Sequence, residues 1–169
     1  MGLPRKHPEL PRILGAVVLA GLLCAPAAMA QRNPLARFAP PAAELVNGRW
    51  NGVDLERRSN CAGEQNNGTR GTYAQFDVST DGAGGFSIAQ SGITGLNCSY
   101  SGRYETAGGQ LAVAGAYSCT DGKQGDFRTT AIDASAISLD IQMTIQLRGS
   151  ERCSIEALLS MARLQPLPE

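Results

Sequence analysis

The sequence predicts an all-β fold: an eight-stranded antiparallel up-and-down (meander) barrel with two disulfides. Two observations predict it. From Gly48 onward, short runs of alternating apolar and polar residues are separated by turn residues, and one hairpin carries its register in its own sequence. Alternation with a period of two is the pattern of a strand with one buried face. Eight such strands, joined in sequence, bury those faces and lose their exposed edges when the sheet closes into a barrel. A sandwich of two sheets is the alternative architecture.

The hairpin that fixes the register covers Leu96 to Cys119, with Gly108-Gly109 as its two-residue turn. Counting outward from the turn places like residues opposite each other: Gly102 with Gly115, Tyr100 with Tyr117, and Cys98 with Cys119. The pair next to the turn is hydrogen-bonded and the pair type then alternates, so the cysteines occupy a non-hydrogen-bonded pair, where side chains come closest. We therefore predict a disulfide between Cys98 and Cys119.

The remaining two cysteines of the mature chain, Cys61 and Cys153, are expected to form the second disulfide. The four cysteines contain no CxxC pair, which in an exported small domain favours disulfides over a thiolate zinc site. Cys61 follows the first strand and Cys153 begins the eighth. A bridge between them therefore agrees with closure of the barrel, which makes those two strands neighbours.

The first strand covers about 49–58, and its apolar residues do not share one parity. A β-bulge at Asn51-Gly52 shifts the parity of the residues that follow it. With this bulge we expect Trp50, Val53 and Leu55 all to face the interior.

The other strands are assigned from their alternation and from the turns between them. Strand two covers about 71–78, and after the turn at 81–83 strand three returns so that Val78 meets Phe86 and Phe76 meets Ile88. Strand six covers about 126–132, with one face formed by Phe127, Thr129 and Ala131. Strand seven alternates from Ile137 to Leu147, and strand eight, about 152–164, has on its inner face Ile155, Ala157, Leu159, Met161 and Arg163.

Residues 1–30 have the pattern of a secretory signal peptide. Three basic residues precede a 12-residue apolar run at 13–24, and Ala28-Met29-Ala30 is a small-residue cleavage site. The run is shorter than the roughly 20 residues that a membrane-spanning helix needs. We therefore expect cleavage near Ala30, no transmembrane segment in the mature chain, and a periplasmic or secreted location.

The rest of the chain divides into three parts. Residues 31–47 are rich in Pro and Ala and form an N-terminal linker, with one helical turn after Pro41 that stops at Asn47-Gly48. Residues 48–164 form the β-barrel domain. Residues 165–169, which contain two prolines, form a C-terminal tail.

Composition excludes several classes of function. After Ala30 the chain has 12 Lys and Arg against 14 Asp and Glu, without the basic excess of a nucleic-acid-binding protein. Its one histidine, His7, lies in the signal peptide, so the mature chain has no histidine for triad catalysis, acid-base chemistry or a metal site. We therefore expect the mature chain to have no enzymatic activity and to bind no cofactor or metal. Paired carboxylates, such as Asp54 with Glu56 or Asp121 with Asp126, are the groups that an enzyme hypothesis can invoke.

Two short points of the sequence resemble a known family. Gly48-Arg49-Trp50 is similar to the Gly-x-Trp opening of lipocalin-type calycin barrels, and Arg163 stands where that superfamily places an arginine over the tryptophan. This resemblance implies an eight-stranded barrel with the arginine packed on Trp50. In shape, size and disulfide use the chain also resembles the eight-stranded periplasmic lysozyme inhibitors.

The predicted topology sorts the loops into two ends. The closed end has the tight turns 81–83, 108–109 and 133–135, and the open end has the longer loops 60–70, 91–95, 120–125 and 148–152 together with all four cysteines. Long loops held by disulfides on a rigid scaffold are typical of a binding rim. The ligand-binding candidates are inward-facing residues: Tyr100, Tyr117, Tyr104, Trp50 and Arg163. The candidates for a partner-binding rim are basic: Arg57, Arg58, Arg70, Lys123, Arg148 and Arg152.

These features predict an exported, non-enzymatic small β-barrel binding protein with its site at the open end. The ligand or protein partner is not identified by the sequence. Two alternatives stay open: a protein-binding module such as a lysozyme or hydrolase inhibitor, and a structural envelope protein. A ligand-binding barrel predicts an internal cavity lined by the tyrosines, whereas an inhibitor predicts a filled core and a protruding loop.

Overall fold

The structure, a computed structural model, describes residues 41–107 and 110–164. The predicted signal peptide, residues 31–40, the Gly108-Gly109 turn and the tail at 165–169 lie outside the described residues. One short helix, α1 (Ala43–Val46), precedes eight strands: β1 (Gly48–Ser59), β2 (Gly68–Thr80), β3 (Gly85–Gly92), β4 (Asn97–Ala107), β5 (Gln110–Cys119), β6 (Gln124–Ala134), β7 (Ser138–Leu147) and β8 (Cys153–Arg163). Two 3-10 turns lie in the loops at Glu64–Asn66 and Gly149–Glu151.

The eight strands form one closed antiparallel barrel in which each strand pairs with the next. Closure is made by β1 and β8, which pair from Trp50 opposite Arg163 to Ser59 opposite Ser154. The predicted up-and-down barrel is therefore confirmed, and the two-sheet sandwich is not formed. The predicted helical turn before Gly48 is also present as α1.

The hairpin of β4 and β5 has the predicted register. Cys98 is opposite Cys119, Tyr100 is opposite Tyr117, and Gly102 is opposite Gly115. Both predicted disulfides, Cys98–Cys119 and Cys61–Cys153, are present. The like-with-like pairs in the sequence were sufficient to specify this part of the sheet, because one turn position fixes every pair in a hairpin.

The prediction of a bulge in β1 is wrong. Strand β1 keeps one parity from Trp50 to Glu56, so Asp54 and Glu56 are buried whereas Val53 and Leu55 are 40% and 45% exposed. Gly52 occupies a regular inward position at which β1 approaches β8 closely. A Cβ built there would lie under 3.0 Å from the carbonyl oxygen of Ser160. The glycine therefore allows close strand approach at a bend of the barrel and does not mark a bulge.

Three further assignments need correction. The turn between β2 and β3 is longer than predicted, because the Asp81 carboxylate accepts hydrogen bonds from the backbone N–H groups of Ala83 and Gly85, and the register becomes Val78 with Ile88 and Phe76 with Gln90. In β6 the register shifts between Thr129 and Ala131, so Ala131 is exposed and Ile132 packs against the core. Ile137 precedes β7 and is 76% exposed.

Apolar side chains form the core of the barrel, and Val46 of α1 belongs to this core at the closed end. The indole Nε1 of Trp50 donates to the Val46 carbonyl at 3.1 Å. The Arg163 guanidinium carbon lies 4.1 Å from the centre of the Trp50 ring, within the range of a cation–π contact. This packing is the one that the lipocalin resemblance implies, and the barrel is compatible with a lipocalin-like fold.

The glycine pair in the β4–β5 hairpin provides a test of the barrel geometry. A Cβ at Gly102 would lie under 3.0 Å from the carbonyl oxygen of Ala114 and 3.1 Å from the ring of Phe127. We expect Gly102→Val to lower the free energy of unfolding by roughly 1–3 kcal/mol, the usual cost of overpacking. The matched control is Gly71→Val in β2, where an added Cβ meets only Leu55 at 3.7 Å. Thermal denaturation of both variants checks this; equal melting temperatures would show that no tight bend exists at Gly102.

Candidate functional site

Strand β1 carries a row of charged residues into the barrel interior. Asp54, Glu56 and Arg58 occupy alternate positions after Trp50 and Gly52, so they share the inward face and lead from mid-barrel toward the open end. Alternate residues of a strand are about 7 Å apart. We call these three residues the polar column. The column follows directly from the unbroken parity of β1.

Asp54 forms the base of the polar column and is 5% exposed. Its Oδ2 accepts a hydrogen bond from Gln90 Nε2 at 2.9 Å, and Gln90 Oε1 in turn accepts one from the Tyr100 hydroxyl at 3.1 Å. Asp54 Oδ1 is buried and has no hydrogen-bond partner among the described residues. Burial first, and the nearby negative charge of Glu56 second, raise the pKa of Asp54 to about 7.

Glu56 and Arg58 form an ion pair above Asp54. Arg58 Nε donates to Glu56 Oε2 at 2.7 Å, and the two side chains are 11% and 10% exposed, respectively. A nearly buried pair of this kind holds both side chains in place, because removal of one partner leaves the other charge buried and uncompensated. Arg58 is therefore ordered at the top of the column.

The tyrosines predicted as ligand contacts are packed into the core. The rings of Tyr100 and Tyr117 lie 5.0 Å apart, and Tyr100 also packs edge-on against Phe127 at 5.5 Å. The Tyr117 hydroxyl donates to Cys119 Sγ and lies 3.5 Å from Cys98 Sγ. Burial raises the pKa of both tyrosines, so both remain neutral hydrogen-bond donors.

The other three predicted ligand contacts lie toward the closed end. Tyr104 packs edge-on against Phe86 at 6.0 Å, and its buried hydroxyl has no hydrogen-bond partner in the described part of the chain. Trp50 is fully buried beneath α1. Arg163 donates to backbone carbonyl oxygens at this end of the barrel, among them those of Leu45 and Asn47 at 2.9 Å each.

A small pocket opens at the disulfide-bearing end, between the loop after β1 and the loop before β8. Its volume is about 80 Å³. Its lining includes four basic residues, Arg58, Arg70, Lys123 and Arg152, and both cysteines of the Cys61–Cys153 disulfide. We call it the mouth pocket. The two loops that form it are joined by that disulfide and by a hydrogen bond from the Ala62 N–H to the Arg152 carbonyl at 2.8 Å.

The charges around the mouth pocket are only partly paired. Arg58 is paired with Glu56, and Lys123 is paired with Asp121. No ion pair to Arg70 or Arg152 is formed within residues 41–107 and 110–164, although Glu151 also lines the pocket. The pocket therefore presents positive charge that its own acidic neighbours leave unneutralised.

Two of the six predicted rim residues point elsewhere. Arg57 has the opposite parity to Arg58, so its side chain is 75% exposed on the outer face, 3.5 Å from Glu156. Arg148 is also on the outside, where it forms an ion pair with Asp126. The structure brings the other four rim residues together in the mouth pocket.

The interior carboxylates were missed as inward residues because the predicted bulge assigned Asp54 and Glu56 to the outer face. The sequence indicates their inward direction if the alternation that starts at Trp50 and Gly52 is continued along β1 without a bulge. Gln90 was also unassigned, and it follows Ile88 by two positions on the same face of β3.

Comparison with known proteins does not assign the chain to a family. A scan against protein-family models and a search of curated proteins both find no match. The candidate function therefore depends on the geometry of the site. Within the described ranges, no group of three or more His, Cys, Asp or Glu residues is placed to hold a metal ion, and no helix is long and apolar enough to cross a bilayer.

The raised pKa of Asp54 predicts a pH dependence of stability. Its pKa in the folded protein, about 7, exceeds the ordinary value of 3.8, so between these values the folded protein holds a proton that the unfolded chain has released. Protonated Asp54 contributes its full stabilisation to the folded state below pH 3.8, and this contribution is lost as the pH rises to about 7. At about 1.4 kcal/mol per pKa unit, we expect a loss of a few kcal/mol in the free energy of unfolding.

The measurement is chemical denaturation of wild type and Asp54→Asn between pH 5 and pH 8. Asparagine keeps an oxygen that accepts the Gln90 hydrogen bond but carries no titrating proton, so the decrease of stability with pH should be smaller in this variant. Asp133→Asn, at an exposed position of β6, should behave like the wild type. An unchanged slope in Asp54→Asn would contradict the prediction.

Proposed function

We propose that the chain is an exported, non-enzymatic binding protein whose binding site is the mouth pocket and the loops around it. A small disulfide-bearing β-barrel fits a binding protein in general. The observation that supports this site is the convergence of four basic side chains, from β1, β2 and two different loops, on one pocket. Side chains from distant parts of the sequence meet there because the barrel brings their strand ends together.

The construction of this end supports a binding role. The two disulfides lie at the same end, Cys61–Cys153 beside the pocket and Cys98–Cys119 across the β4–β5 hairpin. Loops that are fixed before a ligand arrives lose less conformational entropy on binding. Protruding loops on a rigid scaffold are the common location of binding residues.

The buried carboxylates do not favour an enzyme. A catalytic acid or base must come within hydrogen-bond reach of its substrate, but Asp54 and Glu56 are 5% and 8% exposed. Arg58, the column residue that lines the mouth pocket, is held on Glu56. Besides Ala62 and Leu147, the residues at the pocket itself are cations, an amide, one carboxylate and oxidised cysteines, a set suited to holding an anionic group.

The packing of the tyrosines bears on the kind of ligand. Tyr100 and Tyr117 are 1% and 4% exposed and contact each other, so a ligand that enters the mouth does not reach them without repacking the core. Binding is therefore expected at the rim. The packed tyrosines beside long loops also favour the second candidate, a protein-binding module such as a hydrolase inhibitor that presents these loops to its partner.

The test is mass spectrometry of the mature protein purified from its own cell envelope or secreted fraction, first under native and then under denaturing conditions. We expect wild type to carry a bound species that is lost on denaturation, and Arg70→Gln/Arg152→Gln to lack it. Both arginines are exposed, so this variant should keep its stability within about 0.5 kcal/mol.

The matched control for charge is Arg49→Gln/Arg128→Gln, which removes two exposed arginines paired with Asp77 and Glu105. This variant should retain the bound species. If neither wild type nor either double variant carries a bound species, the mouth is not the binding site. The same conclusion follows if both double variants carry the species equally. Substrate turnover by the purified wild type that persists in Arg70→Gln/Arg152→Gln would contradict the non-enzymatic role.

A further inference from the structure

We propose that the mouth pocket recognises one phosphate or sulfate group, either as the free ion or as the terminal group of a larger ligand. The inference rests on the proposed binding role of the mouth and names the chemistry of its ligand. It depends on the size of the pocket, the hydrogen-bonding state of Arg58 and the balance of charge among the lining residues.

The size of the mouth pocket limits what it can enclose. Its volume is about 80 Å³, and a water molecule in the liquid occupies about 30 Å³. The pocket therefore has room for two or three waters, or for one compact group of four or five heavy atoms. A sugar ring or a nucleobase is too large to be enclosed, so any larger ligand inserts only an end group.

Arg58 provides a fixed floor for such a group. Glu56 engages Nε and Nη2 of its guanidinium, and Nη1 has no hydrogen-bond partner in the described part of the chain. Because Nη1 is not among the buried polar atoms that lack a partner, it keeps some solvent exposure, and Arg58 is one of the residues that line the pocket. An arginine that is already ordered by a carboxylate presents its remaining N–H groups without further loss of side-chain entropy.

The walls of the pocket add positive charge from three sides. Arg70 stands near the start of β2, opposite Glu56 in the sheet register, and Arg152 stands directly before β8. Lys123 belongs to the loop between β5 and β6. Of these four cations, Arg58 and Lys123 are paired with Glu56 and Asp121, and Glu151 is the one acidic residue in the described lining of the pocket. The local excess of positive charge favours an anion over a neutral ligand.

Geometry favours an oxyanion over a halide. Arginine presents a planar set of N–H donors that matches pairs of oxygens on one group, and three arginines together with the Asn66 amide line this pocket. A tetrahedral oxyanion offers acceptors in several directions at once, which a pocket with donors on its floor and walls can satisfy. Chloride accepts hydrogen bonds but does not match the arginine fork.

The experiment is isothermal titration calorimetry of the mature protein with sodium phosphate, sodium sulfate and sodium chloride at constant ionic strength. We expect phosphate or sulfate to bind at least about tenfold more tightly than chloride. Because Arg70→Gln/Arg152→Gln removes charge-assisted hydrogen bonds to the anion, it should weaken oxyanion binding by at least about tenfold. Arg49→Gln/Arg128→Gln should stay within about twofold of wild type.

A conservative variant separates fork recognition from charge. Arg58→Lys keeps a cation for Glu56 but replaces the planar fork by a single ammonium group. Its oxyanion affinity should fall while its circular dichroism spectrum and melting transition show that the barrel is folded. If Arg58→Lys does not fold, the comparison of the two double variants decides the question without it.

A parallel titration with phenyl phosphate distinguishes the two sources of the group. Tighter binding of phenyl phosphate than of inorganic phosphate indicates a terminal group on a larger ligand, whereas the reverse order indicates the free ion. Equal affinity for oxyanions and chloride overturns the oxyanion inference, and so does equal oxyanion binding by both double variants. If the native species still depends on Arg70 and Arg152, the proposed function survives that result, so the two failures are distinguishable.

Discussion

Closure of the sheet between β1 and β8 is the constraint on which the other features of this protein depend. The seam is fixed at both ends: Arg163 of β8 packs on Trp50 of β1 at one end, and Cys153 is bonded to Cys61 at the other. A cross-link over 92 residues removes loop entropy from the unfolded chain worth about 4–5 kcal/mol in the chain-entropy account. Between the Arg163–Trp50 contact and the disulfide, Gly52 allows β1 and β8 to approach closely. The register of the seam therefore leaves β1 no freedom to shift.

The polar column is a consequence of this fixed register. Once Trp50 points inward, every second residue of β1 must follow it, and the sequence places Asp54, Glu56 and Arg58 at those positions. Burial of two carboxylates is costly. The cost is offset by Arg58, which pairs with Glu56, and by Gln90, which donates to Asp54. The raised pKa of Asp54 shows the part of the cost that remains, because the neutral acid is the form that burial favours.

Sequence reasoning predicted the fold well and the site in part, for a physical reason. The β4–β5 hairpin was readable because its turn fixes each pair, and Cys98, Tyr100 and Gly102 face identical residues. Strand β1 was misread because its apolar residues, Val53 and Leu55, were assumed to be inside, although apolar atoms are common on protein surfaces. Once a closed barrel fixes the first inward residue of a strand, the alternation of the strand determines which later residues face inward, whatever their hydrophobicity.

The same reasoning explains why only four of the six predicted rim residues line one pocket. Basic residues were grouped by their position in the loops, but direction depends on strand parity. Arg57 and Arg58 are neighbours in the sequence and lie on opposite faces of β1, one beside Glu156 outside and one over Glu56 inside. Convergence of Arg70, Arg152 and Arg58 on one pocket depends on loop geometry between strand ends, which no local sequence pattern specifies.

Two arginines at opposite ends of the barrel show how hydrogen-bond saturation separates a structural role from a binding role. Arg163 donates from Nε, Nη1 and Nη2 to backbone carbonyls, including those of Ala136, Asn47 and Leu45. All three of its nitrogens are therefore used to hold α1 and the loop between β6 and β7 at the closed end. Arg58 donates to one carboxylate and keeps Nη1 for the mouth pocket. Nη1 of Arg58 thus has no hydrogen-bond partner among the described residues, whereas every guanidinium nitrogen of Arg163 has one, and this difference supports the proposal of a binding site at the disulfide-bearing end.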